Sequence, residues 1–95
     1  ITWRKKAIRI LGTRNPKAIL DVATGTGDFA IEAKSLSPER IVGLDISEEM
    51  LNVGRKKITK KGLDSLIEMV KADSEAMPFK DNTFDIVIFL GILYH

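Results

Sequence analysis

The chain has 95 residues, which bounds it to one small domain. It is 44% hydrophobic and 29% charged, a globular balance, and a formal net charge of +2 does not by itself imply a polyanion partner. It has no Cys, which excludes disulfides and thiolate metal sites and is compatible with a reducing, intracellular setting, and no apolar run reaches the ~20 residues of a membrane span.

Trp3, Ala7, Ile10 and Leu11 recur at i, i+4, i+7 and i+8, which predicts a short amphipathic helix with Arg4, Lys5, Lys6 and Arg9 on its solvated side. Gly12 and Asn15-Pro16 punctuate its end. The run Ala18 to Val22 reads as a first strand, followed by the glycine-rich turn Thr24-Gly25-Thr26-Gly27-Asp28. A helix to about Leu36 follows, with Phe29, Ala33 and Leu36 on one face, and Ser37-Pro38 breaks it. Arg40 to Leu44 reads as a second strand ending in Asp45. Ser47 is a good N-cap, with Glu48 and Glu49 in the first turn, for a helix burying Leu51, Gly54 and Ile58. Arg55, Lys56, Lys57, Lys60 and Lys61 gather toward its end as a solvated face, and Gly62 closes it. A third strand covers about Leu66 to Val70, a loop carries Asp73 and Met77-Pro78-Phe79, and a fourth strand runs from about Phe84 to Leu90.

Strands alternating with helices predict an α/β chain of Rossmann-like type, a parallel sheet of about four strands with helices on both faces. Strands one, two and four are continuous apolar runs, as suits burial on both sides. Residues 1–95 read as one domain. Met50, Met69 and Met77 read as core filler.

Ligands of open parallel sheets bind beyond the carboxyl ends of the strands. Asp21, Asp45 and Asp73 fall at three such ends. Gly25 and Gly27 can take positive φ and let backbone approach a ligand. Asp45 stands where an acid accepts bonds from both ribose hydroxyls, Asp73 suits an exocyclic adenine amine, and Ser74 suits a ring nitrogen. Asp21 sits under the glycine turn, where it can anchor the loop or meet an ammonium group through water. Asp28 reads equally as a helix cap or a ligand contact.

Two nucleotide classes fit a glycine turn of this kind. Gly25-Thr26-Gly27-Asp28-Phe29-Ala30 matches the dinucleotide pattern, with Asp45 as its ribose acid, which describes an NAD(P)-binding Rossmann module. The S-adenosylmethionine version adds an acid at the end of strand one, a contact after strand three, and Pro-Phe plus Phe-Asp before strand four. Asp21, Asp73, Pro78-Phe79 and Phe84-Asp85 supply all of these, and Ala30 stands where a pyrophosphate favours a third glycine. The sulfonium cofactor is the better match.

The chain resembles class I methyltransferases, and specifically the UbiE/MenG family of quinone-biosynthesis C-methyltransferases. The resemblance is carried by Trp3-Arg4-Lys5-Lys6-Ala7, Leu20 to Asp28, Gly43-Leu44-Asp45-Ile46-Ser47 with Met50-Leu51, Gly54-Arg55, and Pro78 to Asp85. It implies S-adenosyl-L-methionine as cofactor, S-adenosyl-L-homocysteine as product, and cofactor contacts at Thr26, Asp45, Asp73 and Ser74, to which Asp21, Gly25, Gly27 and Ile46 are added as candidate site residues. It also implies methylation of a demethylmenaquinol- or ubiquinol-type ring carbon, at the cytoplasmic face of a membrane because that substrate carries an isoprenoid tail. Leu93 and Tyr94 stand where the family has arginine and asparagine. No metal or nucleic acid is implied, and no residue of this segment is a convincing general base, so no catalytic residue is assigned. A class I domain normally has seven strands. With four, the chain reads as the cofactor half of an enzyme or a catalytically incomplete fragment, whose fourth strand is an open edge able to self-associate.

Overall fold

The structure, a computed structural model, describes residues 3–73, 75–80 and 83–89. Its elements run α1 (Trp3–Gly12), β1 (Ala18–Val22), α2 (Asp28–Glu32) with a 3₁₀ turn (Ala33–Leu36), β2 (Arg40–Asp45), α3 (Glu48–Lys60), β3 (Ile67–Lys71) and β4 (Ile86–Ile88). The four strands form one parallel sheet in the order β3-β2-β1-β4.

Local chemistry accounts for where the helices start and stop. Ser47 caps α3, its Oγ accepting the Met50 N–H at 3.2 Å. At the other end Gly62 takes φ +69, its N–H bonds the Thr59 carbonyl, and the Leu63 N–H reaches the Ile58 carbonyl. These are the two bonds of a Schellman motif, and Leu63 packs into the same core as Ile58. The helix after the glycine turn is α-helical for only five residues before tightening into the 3₁₀ turn, and Ser37 at φ 54 with buried Pro38 stops it.

In α1 the buried stripe differs from the expected one. Ala7, Ile8 and Leu11 pack on the core, whereas Ile10 is 60% exposed. With about 100° per residue, Ile10 lies a full step around from Leu11, the centre of the stripe, and Ile8 takes its place. The Trp3 side chain lies outside the described residues.

The sheet has two differently covered faces. On one, Ile19, Ile41, Ile67, Met69 and Ile88 pack under Phe29, Ala30 and Ala33 of the second helix and Leu51 and Ile58 of α3. On the other, Leu20, Val22, Val42 and Leu44 are covered by Val70, Ala72, Phe79, Phe84 and Phe89. Helices on both faces are expected from the alternating pattern; among the described residues they cover one. The reason is topological. The steps β1 to β2 to β3 go one way across the sheet, and β3 to β4 goes back past β1. With a single crossover hand, the returning connection must run over the opposite face. Here it is a loop with an aromatic pair, Phe79 and Phe84, edge to face at 5.0 Å.

That pair also explains why β4 is shorter than the apolar run from Phe84. The Phe84 ring turns to Phe79, with the Arg40 guanidinium 5.3 Å over it. Asp85 then uses its carboxylate rather than its pleat position. Oδ2 and Oδ1 accept the N–H groups of Lys17 and Ala18 at 2.8 and 2.7 Å, tying the start of β4 to the start of β1. The expected end of this strand, Leu90, and the Leu93-Tyr94 pair lie outside the described residues.

Candidate cofactor site

The parallel register puts the carboxyl ends of β1, β2 and β3 on one rim, with Asp21 opposite Gly43 and Asp45 opposite Lys71. Asp21, Asp45 and Asp73 therefore share that rim, but they are not equivalent. An open cavity of ≈ 180 Å³ is lined by Val22, Ala23, Leu44, Asp45, Ile46, Ala72 and Asp73. Two of the three acids face it. Its other walls are apolar, including Ile46, which is 67% exposed.

Asp45 is half-buried and doubly held. Its Oδ2 accepts the Gly25 N–H at 2.8 Å and its Oδ1 accepts the Ser47 N–H at 2.9 Å. A carboxylate has about four acceptor positions, so two remain for hydroxyl donors. The Asp45 carbonyl also takes the Ala72 N–H at 3.0 Å, which binds the β3 exit to the same residue. Asp73 is exposed and organises its own loop, its Oδ1 accepting the Glu75 N–H at 2.9 Å. Ser74 lies outside the described residues.

Asp21 is only 1% exposed and sits beneath the turn rather than in the cavity. Its Oδ2 accepts the Thr24 hydroxyl at 2.7 Å. Burial pushes its carboxyl up to about 6, the Thr24 hydrogen bond opposes this, and the charge of Asp45 adds to the rise. The two acids thus grip successive residues of one turn, Asp21 the hydroxyl of Thr24 and Asp45 the amide of Gly25.

The turn itself doubles back through left-handed backbone at Ala23, Gly25 and Gly27, with φ of 60, 61 and 82. The Thr24 N–H bonds the Leu44 carbonyl at 2.7 Å, holding the turn against β2. Gly43 makes this close approach feasible, because a Cβ there would stand 2.8 Å from Thr24 Oγ1. Thr26 turns its hydroxyl to Lys57 Nζ at 3.1 Å, and Asp28 meets the same ammonium at 2.6 Å. Asp28 thus accepts an ion pair rather than capping the helix, whose N-cap residue is Gly27.

The model of the ubiE/COQ5 methyltransferase family matches residues 1–93. The chain belongs to the ubiE/COQ5 methyltransferase family. It is 50% identical over 93 residues to a demethylmenaquinone methyltransferase of Bacteroides fragilis, covering 96% of this chain and 38% of that protein. It is 41% identical over 87 residues to the ubiquinone/menaquinone biosynthesis C-methyltransferase UbiE of Pseudomonas entomophila, covering 90% of this chain and 34% of that protein. Among solved structures it is similar to a SAM-dependent methyltransferase from Aquifex aeolicus, with TM-score 0.72 and 28% identity over 88% of this chain and 45% of that one. The chain thus spans little more than a third of the length of the curated relatives it matches.

For this ubiE/COQ5 family chain, the residues around the cavity fit an adenosyl group. The acid with spare acceptor positions and the apolar walls line the cavity, and the turn that bends at Gly25 and Gly27 is tied to that acid. Three participants were not legible as such in the sequence. Arg55 and Lys57 stand in a basic run, yet Arg55 donates to Glu48 and Asn52 and, at 2.9 Å, to the Met69 carbonyl, while Lys57 reaches the turn. Met69, apparently filler, is the common neighbour of the Cβ positions of Gly27, Gly43 and Gly54. The signal that marks Lys57 is its spacing from Met50 and Gly54 along α3. Among the described residues, no helix is long and apolar enough to cross a membrane, and no cluster of three or more His, Cys, Asp or Glu is arranged to hold a metal ion.

Proposed function

We propose that this chain is the S-adenosylmethionine-binding part of an enzyme that methylates a ring carbon of a demethylated menaquinol- or ubiquinol-type precursor. The observation that carries the reading is the pairing of Asp45 and Asp73 along one apolar, open cavity beside the glycine turn. The family and the names of the relatives support the quinone as acceptor. An isoprenoid-tailed substrate puts the complete enzyme's work at a membrane surface.

The cofactor supplies an electrophilic methyl group on a sulfonium, so the protein's task is alignment. Asp45, already fixed by two backbone donors, accepts the ribose hydroxyls. Val22, Leu44, Ile46 and Ala72 offer apolar surface to the adenine, and Asp73 accepts from its amine. Gly25 and Gly27 supply the left-handed bends that set the turn's backbone beside the methionine portion. The carboxylates of Asp21 and Asp45 beside this turn favour a cationic ligand over a pyrophosphate. No described residue is assigned as the base that activates the quinol.

Calorimetric titration of the full-length protein tests this. S-adenosylhomocysteine is expected to bind and NADH not to. Tighter binding of NADH would replace the reading with a dinucleotide module.

A further inference from the structure

The basic C-terminal half of α3 has the composition of a solvated face, and Lys56, Lys60 and Lys61 behave as one. Lys57 does not. Its ammonium crosses to the glycine turn and donates to Thr26 Oγ1 at 3.1 Å and to Asp28 Oδ1 at 2.6 Å, residues 31 and 29 positions earlier in the chain. It is the last of three α3 residues at i, i+4 and i+7 that meet the turn in order. Met50 Cε lies 3.3 Å from where a Gly25 Cβ would stand. Gly54 backs Thr26, whose carbonyl oxygen lies 2.9 Å from the position of a Gly54 Cβ. Lys57 then closes on Thr26 and Asp28. One helical stripe therefore follows the turn from its first glycine to the start of α2.

Two features separate this from a casual surface ion pair. The helix could not approach closely enough with any side chain at Gly54, so the contact is built into the packing of backbone on backbone. The ammonium also bridges two partners that lie on either side of Gly27, a residue at φ +82 with no side-chain cap on the helix it begins. Besides the Gly27 N–H, which donates to the Thr24 carbonyl within the turn at 3.0 Å, the turn is held from below and from β2, through Asp21, Leu44 and Asp45. Among the described residues, the side chain that holds Thr26 and Asp28 from the α3 side is that of Lys57. The Lys57 ammonium in return holds the Asp28 carboxyl below its ordinary value.

We infer that Lys57 is a positioning residue for cofactor binding: it fixes the Thr26-Gly27-Asp28 half of the glycine turn against Gly54, without itself touching the ligand. The inference rests on the proposed cofactor site for its effect on affinity, but the fixing of the turn is independent of it. Because the pair is partly exposed, with side chains 35% and 53% accessible, its loss acts on local order and not on global stability.

The test has two readouts on the full-length protein. Hydrogen exchange at the amides of Gly27, bonded to the Thr24 carbonyl, and Ile31, bonded to the Gly27 carbonyl at 2.9 Å, reports the turn, and titration with S-adenosylhomocysteine reports the site. Lys57→Met is expected to speed exchange at those amides about tenfold, to leave the exchange of β1 and β2 unchanged, and to weaken S-adenosylhomocysteine about tenfold. Lys57→Arg, which keeps the charge and the reach, is expected to restore both. Wild-type exchange in Lys57→Met overturns the fixing of the turn. Faster exchange with unaltered affinity overturns the role in binding. If the wild-type protein binds no S-adenosylhomocysteine, the proposed function fails, and the exchange arm alone still decides whether Lys57 holds the turn.

Discussion

The carboxylate of Asp45 holds the amide of Gly25 at 2.8 Å, across the twenty residues that separate the end of β2 from the glycine turn. One side chain thus shapes the loop and lines the cavity the loop borders. Replacing it should fail in both roles. Asp45→Ala is expected to weaken S-adenosylhomocysteine by roughly a hundredfold or more, since hydrogen bonds to a charged group contribute about 1.5–3 kcal/mol each. Asp45→Asn keeps an acceptor for Gly25 and should lose less. Calorimetry on the two variants checks the order, and equal affinities for wild type and Asp45→Ala would remove the carboxylate from the site.

Asp21 makes stability depend on pH with a definite sign. Its folded-state pKa is raised to about 6, so between the ordinary aspartate value and 6 the folded chain holds a proton that the unfolded chain has released. Stability therefore falls as pH rises through that window, by an amount on the order of 3 kcal/mol at full ionisation. Asp28 and Asp85 are shifted the other way, so their contribution is present above the ordinary value and lost below it, outside this window. Urea unfolding from pH 4 to pH 8 should show the decline in wild type and not in Asp21→Asn, which keeps an acceptor for Thr24. A decline of the same size in both would assign it to another group.

Gly54 and Gly62 separate steric from conformational need. A Cβ at Gly54 would meet Met69 Cε at 2.7 Å and the Thr26 carbonyl oxygen at 2.9 Å, whereas one at Gly62 has nothing within 4 Å and only φ +69 to accommodate. Gly54→Ala should cost roughly 2–3 kcal/mol, as overpacking against backbone does. Gly62→Ala should cost about 1 kcal/mol, the strain of a left-handed alanine. Denaturant midpoints of the two variants test the difference, and equal losses would argue that α3 can slide away from the turn.

Asp85 pins β4 through two backbone donors on Lys17 and Ala18, which hold its carboxyl below the ordinary value. Asp85→Ala should raise proteolytic cleavage in the residue 72–85 connection roughly tenfold at neutral pH, on the scale of one lost hydrogen bond. Wild-type protein should approach the variant only once the pH falls below the ordinary aspartate range. Identical cleavage of the two at neutral pH would show that pairing with β1 suffices.

Much of the architecture was readable because it rests on local signals. The strand of Ala18–Val22, the Ser47 cap, the Gly62 stop and the acids at three strand ends follow from propensity, capping and spacing within a few residues. What escaped depends on partners far along the chain. Ile10 and Ile8 compete for the same stripe, and only the position of the core decides between them. Lys57 looks like its neighbours until Thr26 and Asp28 are folded beside it. Asp85 reads as the start of a strand, but its carboxylate serves β1. That the helices of the described residues cover one face could be anticipated only from the strand order, which composition and periodicity do not contain.

Met69 carries a final consequence. Its thioether end lies within 3.1 Å of the Cβ positions of Gly27, Gly43 and Gly54, which belong to the turn, the sheet and the helix. A single unbranched chain is thus the gauge block between three backbones, and its three rotatable bonds let it settle into the gap. A branched side chain of equal volume would keep the hydrophobicity and spoil the fit, prying the three apart together, so that a substitution far from any ligand would be felt as a misaligned socket.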